Sequence, residues 1–146
     1  MSALPPIAEV LPHAAPMILL DEVLEYGPGR ILCGVRLRAD SPFVADGRAA
    51  AVVTLEYMAQ AVAAYAGMKG RAAGEPPHIG FLLGARELSL SVPHLQVGDL
   101  LRVDVEHVFG DEQLGSFSCS VTRDGQRIAR ALLFVYLHDG TGPLPT

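Results

Sequence analysis

Residues 49–69 read AAAVVTLEYMAQAVAAYAGMK, and what this run becomes decides the fold. Alanine, leucine, methionine, glutamate and glutamine dominate it, all good helix formers, so a helix is predicted over 49–69. Gly67 and Gly70, with Lys69 and Arg71, are expected to mark its C-terminal end. The run is about as long as a bilayer span. Against a membrane, it carries Glu56 and Gln60 near its middle and is mostly alanine. A carboxylate at that depth costs on the order of 3 kcal/mol, and alanine returns little insertion energy. A helix that is apolar nearly all round and does not span a membrane must be enclosed by protein on several sides.

The flanking segments supply the enclosure. Before the run, residues 17–26 read as a strand and Gly27-Pro28-Gly29 as a turn. Over 30–38, Ile31, Cys33, Val35 and Leu37 alternate with Leu32, Gly34, Arg36 and Arg38, so the first two strands form a hairpin. Residues 1–16 hold Pro5, Pro6, Pro12 and Pro16 and are expected to form an extended arm; 40–48 is a loop. After the helix come a loop over 71–78 and strands over 79–90, 100–109, 114–122 and 127–137. The last two are a hairpin around Asp124-Gly125. The tail from 139 is expected to be loose, and there is no internal repeat. Two strands, one buried helix and then strands is an α+β order, met by one curved antiparallel sheet wrapped round the helix. Such a sheet has edges, and pairing edge to edge in a dimer would cover one of them.

Bulk properties narrow the classes. A chain of 146 residues suits one domain. Half of it is hydrophobic and 18% charged, enough to fill a core and to favour a buried subunit interface. The net charge of −5 argues against nucleic acid as a partner. Cys33 and Cys119 are too few for a disulfide framework; both sit in strand-like runs and read as reduced thiols of a cytoplasmic protein. Residues 1–7 lack a basic stretch followed by an apolar one, so no signal peptide is expected. His78, His94, His107 and His138 have no ligand spacing, so neither a metal nor another cofactor is expected.

Glu56 carries the chemical interest. With Gln60 four residues on, it projects from one face of the helix. A carboxylate on an apolar helix must be paired, protonated or functional, because leaving it bare costs several kcal/mol. It is either a general acid or base, or a structural group partnered by Gln60.

The segments Leu11-Pro12-His13 with Pro16, Leu19-Leu20-Asp21, Glu56-Tyr57-Met58-Ala59-Gln60 and Ile79-Gly80-Phe81-Leu82-Leu83-Gly84 resemble the hot-dog-fold 3-hydroxyacyl-[acyl-carrier-protein] dehydratases. They are more similar still to the dehydratase-like branch of aryl polyene pathways. The resemblance implies dehydration of a 3-hydroxyacyl thioester to a trans-2-enoyl thioester. The acyl chain would ride on the phosphopantetheine of an acyl carrier protein. It also implies a dimer, with itself or with a related hot-dog protein, in which a histidine and a glutamate come from different subunits. Glu56 falls on the family glutamate, and Ala51 where a glycine N–H polarises the thioester carbonyl. The family histidine position is Pro42 here. His13 is then the leading candidate for the base, with Asp46 second; a proline-flanked histidine and a loop aspartate are also ordinary turn residues. Gln60, Ala51, Phe43, Phe81 and Leu82 are the expected substrate contacts. Arg30, Arg36, Arg38, Lys69 and Arg71 would suit an acidic carrier protein, or are simply solvated charges. The competing reading is a non-catalytic hot-dog subunit that binds acyl chains or pairs with an active homologue. A hot-dog thioesterase ranks last, because its Gly-His-Val-Asn context is missing.

Overall fold

The computed structural model describes residues 4–74, 79–111 and 114–138. Helix α1 (Val53–Ala72) lies in the curve of a six-stranded antiparallel sheet built from β1 (Glu22–Gly27), β2 (Arg30–Arg36), β4 (Ile79–Leu90), β6 (Leu100–Gly110), β7 (Leu114–Arg123) and β8 (Gln126–His138). Its order is β1-β2-β6-β7-β8-β4. A small second sheet pairs β3 (Arg48–Ala50) with β5 (His94–Gln96). This is the α+β hot-dog arrangement.

The period of two explains the core. Leu101, Val103 and Val105 of β6 are buried, while Arg102 and Glu106 on the opposite face are exposed. Phe117 and Cys119, and Ala131 and Leu133, repeat the pattern on β7 and β8, whereas on β2 the residues from Ile31 to Val35 are all buried. Met58, Ala61, Val62 and Ala64 of α1 meet them with no exposed surface. In the β7–β8 turn Asp124 and Gly125 take φ of 53° and 76°, the paired left-handed conformation that favours Asp-Gly.

The helix begins later than its composition predicts. Asp46 and Gly47, at φ 55° and 77°, form a tight turn closed by Ala45 and Arg48, each donating its N–H to the other's carbonyl. That turn launches β3, where Ala49 pairs with Leu95 and both are buried. Helix propensity separates residues by under about 1 kcal/mol, so ladder bonds and burial override it here. At the other end α1 runs past Lys69 to Ala72, and Gly74 at φ 77° follows its last turn. Gly67 is mid-helix and serves a close approach: a Cβ there would lie 1.9 Å from the Val10 carbonyl oxygen.

That approach belongs to the N-terminal arm, which is more than an extended leader. Ile7–Glu9 is a 3-10 turn, and Val10, Leu11 and Leu20 are buried. The arm crosses α1 from Gly67 to Gln60, where Met17 and Leu19 are bonded. Residues 17–19 therefore belong to the helix surface, and β1 starts at Glu22. Asp21 joins arm to sheet, accepting from the Arg36 N–H and the Arg38 guanidinium.

Strand β4 is an edge, bonded only to β8, with two register shifts along it. Leu82, Leu83, Leu88 and Leu90 on it are 38–54% exposed. No helix among the described residues is long and apolar enough to cross a membrane. The tail from 139 lies outside the described residues.

Candidate active site

Glu56 sits one turn into α1 and is half-buried. Its Oε1 accepts from Gln60 Nε2 at 3.0 Å; its second oxygen has no protein partner among the described residues. It faces an open cleft of about 460 Å³ lined by Met17, Phe43, Ala50, Val52, Val53 and Glu56. Glu56 is the one titratable group in that lining; the other five are apolar. Met17, Phe43 and Val52 are 39%, 60% and 55% exposed, an apolar surface with no cover in a single chain. Phe43 holds φ 73°, a left-handed conformation costly for an aromatic residue and of a kind found clustered at binding sites.

The helix start adds a second chemical element. Val52 caps α1 without a side-chain acceptor. The Ala51 N–H, the expected carbonyl donor, is already bonded to Pro93 O at 3.0 Å. The N–H groups of Val52 and Val53 have no acceptor among the described residues, and both residues line the cleft. Unsatisfied N–H groups at a helix N-terminus suit a carbonyl or a developing oxyanion.

Of the expected site residues, the cleft brings together Glu56 and Phe43. Gln60 is fully buried, and its amide is bonded inside the chain to Leu19, Met17 and Glu56. His13 is absent from the lining; its Nδ1 is buried in the arm without a partner among the described residues. Asp46 is the exposed first residue of the turn into β3, where an aspartate tolerates positive φ. Leu82 lies on the β4 edge, outside the cleft lining. Phe81, also on β4, pairs with Tyr136 of β8, and its side chain is outside the described part. Met17, Val52 and Val53 were not expected. The i, i+4 spacing from Val52 to Glu56 carried a signal, whereas Met17 arrives through a contact 43 residues long.

Most of the expected basic groups are neutralised within the chain. Arg30 pairs with Asp104, Arg38 with Asp21 and Arg71 with Glu9, and Lys69 lies 5.7 Å over the Tyr65 ring. No group of acids, histidines or cysteines among the described residues could hold a metal. Burial, and secondarily Asp21, pushes the Tyr57 phenol up to about 12, so it is a neutral core group.

The half-buried Glu56 thus stands at an apolar cleft beside the start of α1, where Val52 and Val53, and not Ala51, have the N–H groups without an acceptor among the described residues. The model of the ApeP-like family, described as ApeP dehydratase, matches residues 5–142. The chain belongs to the ApeP-like dehydratase family. The 3-hydroxyacyl-[acyl-carrier-protein] dehydratase FabZ of Psychromonas ingrahamii is 30% identical over 135 residues, covering 87% of each chain. Among solved structures, the dehydratase heterocomplex ApeI:P of Xenorhabdus doucetiae superposes with a TM-score of 0.90 at 29% identity, covering 94% of both chains. A hypothetical thioesterase of Streptococcus pneumoniae, with coenzyme A, has a TM-score of 0.62 at 13% identity over 81% of this chain and 85% of its own, and shares the fold alone. Against the family's expected pair of groups, this ApeP-like chain keeps the glutamate and has Pro42 at the histidine position.

Proposed function

We propose that this protein supplies the acid half of a two-chain site that dehydrates a 3-hydroxyacyl thioester on an acyl carrier protein. The base belongs to a related hot-dog subunit paired along β4. The observation that carries this is Glu56, with one oxygen held by Gln60 and the other unbonded at a cleft whose lining holds no base. The base of the second chain removes a proton from the carbon next to the thioester. Glu56 gives a proton to the 3-hydroxyl, which leaves as water, and a trans-2-enoyl thioester remains. The Val52 and Val53 N–H groups hold the carbonyl as negative charge gathers on it. Apolar Met17, Phe43 and Val52 take the acyl chain.

His13 and Asp46, the bases first considered within the chain, fit less well, since neither lines the cleft. The relatives' FabZ activity and the two-chain ApeI:P complex support both halves of the reading. Arg48 is exposed on the same face of β3 as cleft-lining Ala50, and an acidic carrier would meet it there. A purely acyl-binding subunit finds no support in the comparisons. The cytoplasmic setting inferred from the two thiols fits a substrate on a carrier protein.

The test is the rise of enoyl absorbance when purified protein, alone and with a co-purified histidine-bearing hot-dog homologue, meets a 3-hydroxyacyl carrier protein. Turnover is expected only in the mixture, and Glu56→Gln is expected to lower it by about 10²-fold or more. Full turnover by the single chain would move the base back into it. Full turnover by Glu56→Gln would remove the acid.

A further inference from the structure

We infer that Gln60 is a positioning residue coupling the N-terminal arm to the acid, which makes the arm a working wall of the cleft. This rests on the dehydratase reading above. The Gln60 side chain has no exposed surface. Its Oε1 accepts the Leu19 N–H at 2.9 Å, and its Nε2 donates to Met17 O at 2.7 Å and to Glu56 Oε1 at 3.0 Å. An amide has two N–H groups and both are used; the Leu19 N–H can only donate, so the orientation of the amide is fixed.

One side chain thus sets two things at once. It holds the acid from one turn further along α1, leaving the other carboxylate oxygen for the substrate. It also fixes the backbone of Met17, whose side chain lines the same cleft. A clamp needed only to fasten the arm would be complete with Met17 O and Leu19 N–H. Its remaining N–H goes to Glu56, which has no other donor among the described residues. An arm displaced from α1 would therefore open the cleft wall and release the acid together.

Three variants in the active assembly separate these roles, with hydrogen exchange of the Leu19 amide as a readout independent of turnover. Gln60→Glu keeps an acceptor for Leu19 and loses the donors to Met17 and Glu56. Leu19 is expected to stay protected while kcat falls on the order of 10²-fold, the usual effect of a misplaced catalytic group. Gln60→Met loses every bond: Leu19 exchange is expected to rise by about tenfold or more, with kcat down and KM up. Met17→Ala keeps its carbonyl and removes the wall, so KM is expected to rise while the Leu19 amide stays protected. Unchanged kcat in Gln60→Glu would make the Glu56 contact incidental, and a protected Leu19 in Gln60→Met would show the arm held by something else. Either overturns the inference. A wild-type assembly without turnover would instead overturn the dehydratase reading, and Leu19 exchange would still decide the clamp.

Discussion

A buried acid needs a donor to hold it and an opening to act through, and Glu56 has one of each on its two oxygens. Gln60 four residues on provides the donor, and the gap between Phe43 and Val52 provides the opening. The same physics run in reverse keeps the two cysteines inert. Cys33 and Cys119 are buried under the sheet, and burial, with a smaller contribution from Asp104 for Cys119, pushes each thiol up to about 12. The folded chain then keeps protons that the unfolded chain releases from about pH 9 upward. Stability is full below that point and declines as pH rises toward 12, by about 1.4 kcal/mol per pH unit for each thiol. Urea midpoints measured from pH 8 to 11 are expected to fall along this slope, and less steeply in Cys33→Ala or Cys119→Ala measured against its own pH 8 value. A midpoint independent of pH across that range would contradict the burial argument.

At the scale of elements, α1 is held on both sides, by the sheet below and by the arm above. The arm approaches because Gly67 has no side chain, and its far end is tied by Gln60 seven residues earlier, about 10 Å along the axis. Gly67→Ala should gain up to about 1 kcal/mol of helix propensity. It also places a methyl group 1.9 Å from the Val10 carbonyl, against backbone that cannot rotate away. Overlap of this kind costs about 1–3 kcal/mol or displaces the segment. Net destabilisation of up to about 2 kcal/mol is expected, read from the urea midpoint together with faster proteolysis of the arm; a stabilised variant would mean that the arm does not seat there.

At the scale of the whole molecule, β1 and β4 are the outer strands of the sheet, and β4, twelve residues long, has its leucines open and its outer side unpaired among the described residues. A strand like this is usually covered. Leu83→Arg alters a side chain already 54% exposed, so the monomer should lose little stability. Sedimentation of the mixture with the histidine-bearing hot-dog subunit is expected to show the wild-type chain, 15.5 kDa by itself, in a complex with that subunit, and the variant separated from it with the turnover of the mixture gone. A wild-type chain that does not associate with the second subunit would leave the cleft uncovered and argue against a shared site. The sequence by itself determined the helix, the sheet around it and the residue at the centre of the proposed site, because alternation on β6 and a lone carboxylate on an apolar helix are local patterns. It also marked Pro42 as the place where a base is missing. Only the tertiary structure decided what surrounds Glu56. Asp46 reads the same in sequence as a loop acid or a turn residue, and its φ of 55° in a closed turn makes the difference. His13 shares a motif with the family but is set in the arm outside the cleft lining, and Ala51 has its N–H taken by Pro93. The Ala51 bond to Pro93, like the Leu19 bond to Gln60, joins segments far apart in the chain, and no spacing along the chain encodes where a folded backbone brings a donor against an acceptor.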